Sequence, residues 1–246
     1  MDIIGHRGIV SFSPENSLVT LDFVKSLKLK WVETDVILTK DNIPVIFHDK
    51  KLDRVTNFSG EVKNYNYKEL KSVDIGYKYS LNFLGEKIPL LTEFIAKCKK
   101  LSINIFLELK NYYNNEYNFV KNVMEIIKDC DDITIIPCSY SRKVITLINK
   151  LYPNIKKSLI VDDIPDDWYD FIKTNNCYSI NVAYDRFNNN NLLDIQECVS
   201  KIPTYCFTIN NYEDYKDLEH IGVKGIITDK AEYFSKYFLI FRSCAK

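Results

Sequence analysis

Residues 31–48 read Trp31-Val32-Glu33-Thr34-Asp35-Val36-Ile37-Leu38-Thr39-Lys40-Asp41-Asn42-Ile43-Pro44-Val45-Ile46-Phe47-His48. Two apolar runs, Trp31–Val36 and Pro44–His48, flank a segment too short for a parallel crossover, and Asp41-Asn42 inside it is turn-prone. The stretch therefore predicts an antiparallel hairpin whose return arm carries His48 back towards Glu33. Seven further apolar runs read as strands: Ile3–His6, Ile103–Lys110, Ile133–Cys138, Lys157–Val161, Tyr178–Ala183, Thr204–Thr208 and Gly225–Thr228. With both hairpin arms the total is nine, one more than an eight-stranded barrel uses. Assigning the surplus strand to the hairpin leaves eight to alternate with helices.

Helical patterns fall between the runs, at Ser17–Leu29, Leu91–Lys100, Glu116–Lys128, Arg142–Leu151, Asp167–Lys173, Leu192–Lys201 and Tyr212–His220. Apolar spacings of three and four recur in them, as at Leu18, Leu21, Val24 and Leu27. Strand and helix in alternation predict an α/β architecture. Ser13-Pro14-Glu15 supplies a helix start: a capping hydroxyl, a proline in the first turn, and an acid at the positive end of the dipole. Residues 56–88 carry weak periodicity and read as a cap loop with one short helix, Lys68–Val73, inside a single domain spanning 1–246. Asn188–Asn191 reads as a polar turn.

The 246 residues hold 33 basic and 33 acidic side chains, so net charge makes no case for nucleic acid. Seven cysteines without CxxC spacing favour reduced thiols and a cytoplasmic setting. The N-terminus carries no secretory pattern, and no apolar run is long enough to span a bilayer.

The chemistry concentrates before residue 111. Glu33 and Asp35, two apart on one strand, project from the same face. Glu108 and Lys110 repeat that spacing on another strand. Three carboxylates meeting at one barrel end would make a hard oxygen site suited to Mg²⁺ or Ca²⁺. His6 and His48, two of only three histidines, each follow an apolar run. Such a pair could bracket a phosphate, one activating a nucleophile and the other protonating a leaving alkoxide. Arg7 and Lys110 would neutralise the nonbridging oxygens. Gly5 and Gly8 flank His6, where glycine permits close approach to a ligand. Each piece has a plainer reading. Glu33-Thr34-Asp35 alone could be a solvated strand edge, Glu108 and Lys110 an internal ion pair, His6 a satisfied strand-end histidine, and Asp49 a turn residue rather than a partner of His48. His220 ends a helical pattern and is assigned no role.

Taken in order, His6-Arg7-Gly8, Pro14-Glu15-Asn16, Glu33-Thr34-Asp35-Val36, His48-Asp49 and Glu108-Leu109-Lys110 resemble the glycerophosphodiester phosphodiesterase family of barrel phosphodiesterases. Weaker echoes are Asp53-Arg54-Val55-Thr56, Ile88-Pro89-Leu90 and the segment Gly222 to Asp229. The resemblance implies a TIM-type (β/α)8 barrel with the early hairpin and a short cap. It implies a divalent cation on Glu33, Asp35 and Glu108, acid/base catalysis by His6 and His48, and phosphate contacts from Arg7 and Lys110. The implied substrates are small glycerophosphodiesters, cleaved to glycerol 3-phosphate and an alcohol. Two alternatives stand beside this: phospholipase D-like action on lysophospholipids at a membrane surface, and a silent phosphate-binding barrel.

The sequence departs from the family where a late tryptophan is common. Cys206-Phe207-Thr208-Ile209-Asn210 stands there, so Phe207 would supply the apolar wall of the substrate pocket without an indole donor. Asn181 and Ser139 occupy strand ends where polar lining residues are expected. The short connection after His48 leaves headgroup selectivity open. The aromatic stretch within 231–246 predicts a last helix covering the barrel, with peripheral membrane or dimer contact as its alternative.

Overall fold

The computed structural model describes residues 1–113, 115–185 and 192–235. Nine strands form one sheet: β1 Asp2–Gly5, β2 Trp31–Leu38, β3 Pro44–Ile46, β4 Asn104–Leu109, β5 Ile135–Ser139, β6 Ser158–Val161, β7 Ser179–Ala183, β8 Thr204–Phe207 and β9 Gly225–Thr228. Eight are parallel and close into a barrel, because β1 pairs with both β9 and β2. The ninth, β3, lies antiparallel on β2 in the register Val36 to Ile46. β1 meets β2 only at Trp31 and Val32, so β3 takes the edge that β1 leaves free higher up. The fold is thus the expected TIM-type barrel with an early hairpin. At the hairpin turn Asn42 adopts φ 59°, and Thr39 Oγ1 donates to Asp41 Oδ1.

Helices α1 Thr20–Ser26, α2 Tyr67–Leu70, α3 Leu91–Leu101, α4 Glu116–Ile127, α5 Arg142–Leu151, α6 Trp168–Thr174, α7 Leu192–Lys201 and α8 Tyr212–His220 accompany the strands. Their apolar faces and the outward side chains of the strands make the main core, which includes Val32, Val36, Leu107, Phe94, Val120 and Ile148. Inside the barrel, Ile4, Phe106, Ile136, Ile160, Tyr205 and Ile227 fill the lumen. Each fully buried aliphatic contributes roughly 1.5–3 kcal/mol.

Helix α1 begins later than the predicted Ser17. Asn16 sits at φ 56°, which breaks any helix through it. The Ser13 hydroxyl does not cap; it bonds Thr20 Oγ1 at 2.8 Å, while Ser17 Oγ accepts from Thr20 N–H. The cap segment is more ordered than its periodicity suggests. Leu52, Val62, Leu70, Val73, Ile75 and Ile88 bury a separate small core against Val45 and Phe47 on and just after β3. Its short helix is Tyr67–Leu70, where Asn66 N–H donates to Glu69 Oε2. The Asn188–Asn191 turn and residues 236–246 lie outside the described residues. Residues 231–235 are helical, and Phe234 stacks on Tyr215 at 5.2 Å against the barrel. No helix among the described residues is long and apolar enough to cross a membrane. The six described cysteines are all unpaired.

Candidate active site

Parallel strands deliver their C-terminal ends to one rim of the barrel, and His6, Arg7, Glu33, Asp35, His48, Glu108 and Lys110 lie on or after those ends. Glu33 and Asp35 are buried on β2, at 4% and 1% exposure, so the solvated-edge reading fails. The parallel register sets Asp35 beside Glu108 on β4. One carboxylate oxygen from each of Glu33, Asp35 and Glu108 lies within 4.8 Å of the others. Thr34 points the other way and donates to Asn16 Oδ1 at 2.7 Å.

Three acids so close cannot all ionise at ordinary values. Burial, with the charge of Asp35 added, pushes Glu33 up to about 8 and Glu108 up to about 7. Asp35 is also penalised by burial, but Lys110, His48 and Arg7 outweigh that and hold it low. Lys110, directly after β4, reaches Glu108 Oε1 at 2.7 Å and Asp35 Oδ1 at 3.4 Å. The plain ion-pair reading of Glu108 and Lys110 is therefore correct as far as it goes, but the pair stands inside the acidic cluster. Arg7 places Nε 3.6 Å from Asp35 Oδ2 and Nη1 3.2 Å from Glu15 Oε1. Its backbone lies at φ 52°, fixed by its N–H donating to Glu33 Oε2 and its carbonyl accepting from Asn16.

Gly5 and Gly8 serve this turn rather than a ligand. A Cβ on Gly5 would meet Gly8 O at 2.3 Å, and one on Gly8 would meet Thr20 Oγ1 at 2.1 Å. The tight turn sets His6 beside the acids, with Nε2 3.9 Å from Glu33 Oε2. His6 Nδ1 bonds Asp229 Oδ1 at 2.7 Å. Burial alone would lower the His6 pKa, but the Asp229 bond and the Glu33 charge raise it overall.

The return arm runs antiparallel past Asp35, whose carbonyl accepts from the Phe47 N–H, and His48 follows directly. Its Nδ1 bonds Asp49 Oδ1 at 2.6 Å, so Asp49 is a partner and not merely a turn residue. Burial lowers the His48 pKa; the Asp35 charge opposes this, and Lys110 and Arg7 reinforce it. Phe207 lines the rim cavity with His6, Glu33, Glu108, Cys138 and Asn181. Ser139 does not join them; its hydroxyl is spent on the Leu109 carbonyl. His220 stands at the end of α8.

Several residues of the site were not given roles from sequence. Asn16 donates to Asp35 Oδ2 at 2.9 Å and accepts from Thr34 and from the Asp35 N–H. Asn210 donates to Asp229 Oδ2 at 2.9 Å. Arg54 bonds both Glu15 and Asp49. All of them stand in the motif fragments quoted above, so the signal was present without an assigned role.

The arrangement can hold a hard cation on three oxygens, present two oriented imidazoles and offer two cations to an anion. The family described as the glycerophosphoryl diester phosphodiesterase family matches residues 6–233. Glycerophosphodiester phosphodiesterases of Caldanaerobacter subterraneus subsp. tengcongensis and Bacillus altitudinis are 28% and 29% identical to this chain. Those alignments cover 94% and 92% of this chain and 94% of each relative. The structure of an Oleispira antarctica phosphodiesterase in complex with the product sn-glycerol-3-phosphate is similar at TM-score 0.89 and 26% identity, covering 96% of each chain.

Proposed function

Because the chain belongs to the glycerophosphoryl diester phosphodiesterase family and is an enzyme of that class, we propose that it hydrolyses small glycerophosphodiesters to glycerol 3-phosphate and an alcohol, with His6 and His48 as its acid/base pair. One observation carries this reading: two imidazoles, each fixed at Nδ1 by its own carboxylate, flank the buried trio of acids. Binding alone would need cations and amides, not two oriented titratable groups, which disfavours a silent barrel. The product bound to the Oleispira antarctica neighbour is the fragment this reaction would release.

Glu33, Asp35 and Glu108 fit a divalent cation, Mg²⁺ or Ca²⁺, because three hard oxygens are crowded together and two of the carboxyls keep elevated pKa values even with Lys110 and Arg7 beside them. Bound there, the cation would act as a Lewis acid towards phosphoryl oxygens. Asp229 and Asp49 keep the Nδ1 atoms occupied, which leaves each Nε2 for proton transfer. One imidazole takes the proton of the attacking hydroxyl, a water or the substrate's own glycerol hydroxyl. The other returns a proton to the alcohol oxygen as its bond to phosphorus breaks. Arg7, held beside Asp35 and Glu15, would bring its guanidinium to the negative charge of a nonbridging oxygen. Lys110 would turn from Glu108 to the same charge. Phe207 would pack on the apolar side of the glycerol or headgroup.

The lysophospholipid reading rests on the aromatic C-terminal stretch, of which 236–246 lie outside the described residues, and on the short cap; sedimentation with lipid vesicles would distinguish it from action on water-soluble diesters. The unpaired cysteines support a cytoplasmic setting. The test is release of glycerol 3-phosphate from a panel of diesters with Mg²⁺ and with Ca²⁺. EDTA should stop it, and His6→Ala or His48→Ala should each cost about 10²–10⁴ in rate. No release with either ion, or full activity in both variants, would remove the mechanism.

A further inference from the structure

The geometry points to Arg54 as a positioning residue that ties His48 to Arg7 across the rim and so holds one imidazole and the phosphate side of the site in register. It rests on the functional reading above and names a residue that reading does not use. Arg54 presents two edges of its guanidinium to two different carboxylates. Along one edge Nη1 donates to Glu15 Oε2 at 2.8 Å and Nη2 to Glu15 Oε1 at 2.6 Å. Along the other Nε donates to Asp49 Oδ2 at 2.6 Å and Nη2 to Asp49 Oδ1 at 3.0 Å.

The acceptor atoms give these contacts their meaning. Glu15 Oε1 also accepts from Arg7 Nη1 at 3.2 Å, and Asp49 Oδ1 is the atom bonded to His48 Nδ1 at 2.6 Å. Hydrogen bonds therefore run without a gap through His48, Asp49, Arg54, Glu15 and Arg7. Glu15 and Asp49 belong to loops that follow different strands, β1 and β3, so no covalent path of fewer than 30 residues joins them. Arg54 itself is pinned by its loop: Gly60 N–H donates to Asp53 Oδ2, and Lys78 Nζ donates to the Asp53 carbonyl.

Stability is a poor account of this clasp. The Arg54 side chain is 47% exposed, and exposed ion pairs contribute about 0–1 kcal/mol. Positioning is a better one, since misplacing a reacting group by about 1 Å can cost on the order of 10²-fold in rate. A lysine could not replace it, because one ammonium cannot serve two carboxylate edges.

The test compares wild type, Arg54→Ala and Arg54→Lys on a glycerophosphodiester with saturating Mg²⁺. Arg54→Ala should lower kcat by about 10–100-fold, with KM rising as Arg7 loosens. Arg54→Lys should recover only a small part. Millimolar guanidinium should restore Arg54→Ala, whereas sodium chloride at equal ionic strength should not. Metal-free protein gives a readout without turnover: the chain has 3 histidines, so imidazole NMR can follow each. Loss of Arg54 should move the His48 signals and leave those of His220 in place. Unchanged kcat and KM in Arg54→Ala, or histidine spectra that superimpose on wild type, would overturn the assignment. A wild-type protein without diesterase activity would instead sink the functional reading, and the spectra would still decide the clasp.

Discussion

Protons and a divalent cation should compete for the same carboxylates, and the competition should be visible in stability alone. In metal-free protein Glu33 keeps its proton up to about pH 8, against an ordinary value of 4.5. A native state that holds a proton the unfolded chain has released loses stability as pH rises. The loss starts above the unfolded value, near 4.5, and is complete above the folded value, about 8. At about 1.4 kcal/mol per pH unit, Glu33 alone should account for on the order of 3 kcal/mol between roughly pH 5.5 and 8. For a chain of this size that is roughly 6–12 °C in Tm. A cation that binds only the native state reverses the loss, and it binds best where the acids are already ionised. Thermal melts at pH 5.5, 7 and 8.5, with EDTA and then with excess Mg²⁺ or Ca²⁺, read this directly. The cation-induced rise in Tm should be small at the lowest pH and largest at the highest. Glu33→Gln, which keeps the shape and removes the charge, should be the more stable protein at pH 8.5 in EDTA and should respond less to the ion. A rise that is absent, or equal at all three pH values, would refute the cluster as a shared proton and metal site.

Two substitutions probe the residues that hold this cluster and its imidazoles. Asp229→Asn removes the charge of the carboxylate that accepts the 2.7 Å bond from His6 and leaves one amide oxygen to serve both His6 and Asn210, and it should cost about 10²-fold in kcat, with little change in Tm, by steady-state kinetics. Asn16→Ala abandons the Asp35 carboxylate, the Asp35 N–H and the Thr34 hydroxyl and puts Ala at φ 56°. It should destabilise by about 2–6 kcal/mol in urea titrations, since the Asp35 N–H and the Thr34 hydroxyl each cost about 1–3 kcal/mol when left unpaired, while the Asp35 carboxylate keeps Lys110 and Arg7.

The barrel was legible because its strands are apolar and short while its helices carry threefold and fourfold spacing. The hairpin was legible because Ile37–Ile43 cannot cross a sheet and Asp41-Asn42 turns easily. What was misread shares a cause. Ser13-Pro14-Glu15 looks like a helix start, since small polar side chains cap helices in the absence of better partners. Here the Ser13 hydroxyl goes to Thr20 Oγ1 and the Ile9 carbonyl, and Asn16, at φ 56°, is held out of a helix by Asp35 and Thr34 on β2, so tertiary bonds overrode a local preference. The cap was underestimated for a related reason. Its buried side chains, such as Leu52, Val62 and Ile88, follow neither strand nor helix period, because turns and single bridges carry the chain.

The candidate site divides along the same line. Its charged members announced themselves because an acid or imidazole beside an apolar strand needs a partner. The partners were harder to see. Asn16 and Asn210 are neutral and common in loops, and Asp229 lies 223 residues from the histidine it holds. Position along the strands was the unused signal. His6 follows β1, Lys110 follows β4 and Asp229 follows β9, each by a single residue. In a parallel barrel that position always opens on the same rim. An ionisable residue directly after a strand is therefore already placed among the others, whatever its distance along the chain. That geometry also explains how three acids can be crowded without unfolding the barrel: the rim gathers Arg7, Lys110 and the asparagines by the same rule that gathers the acids.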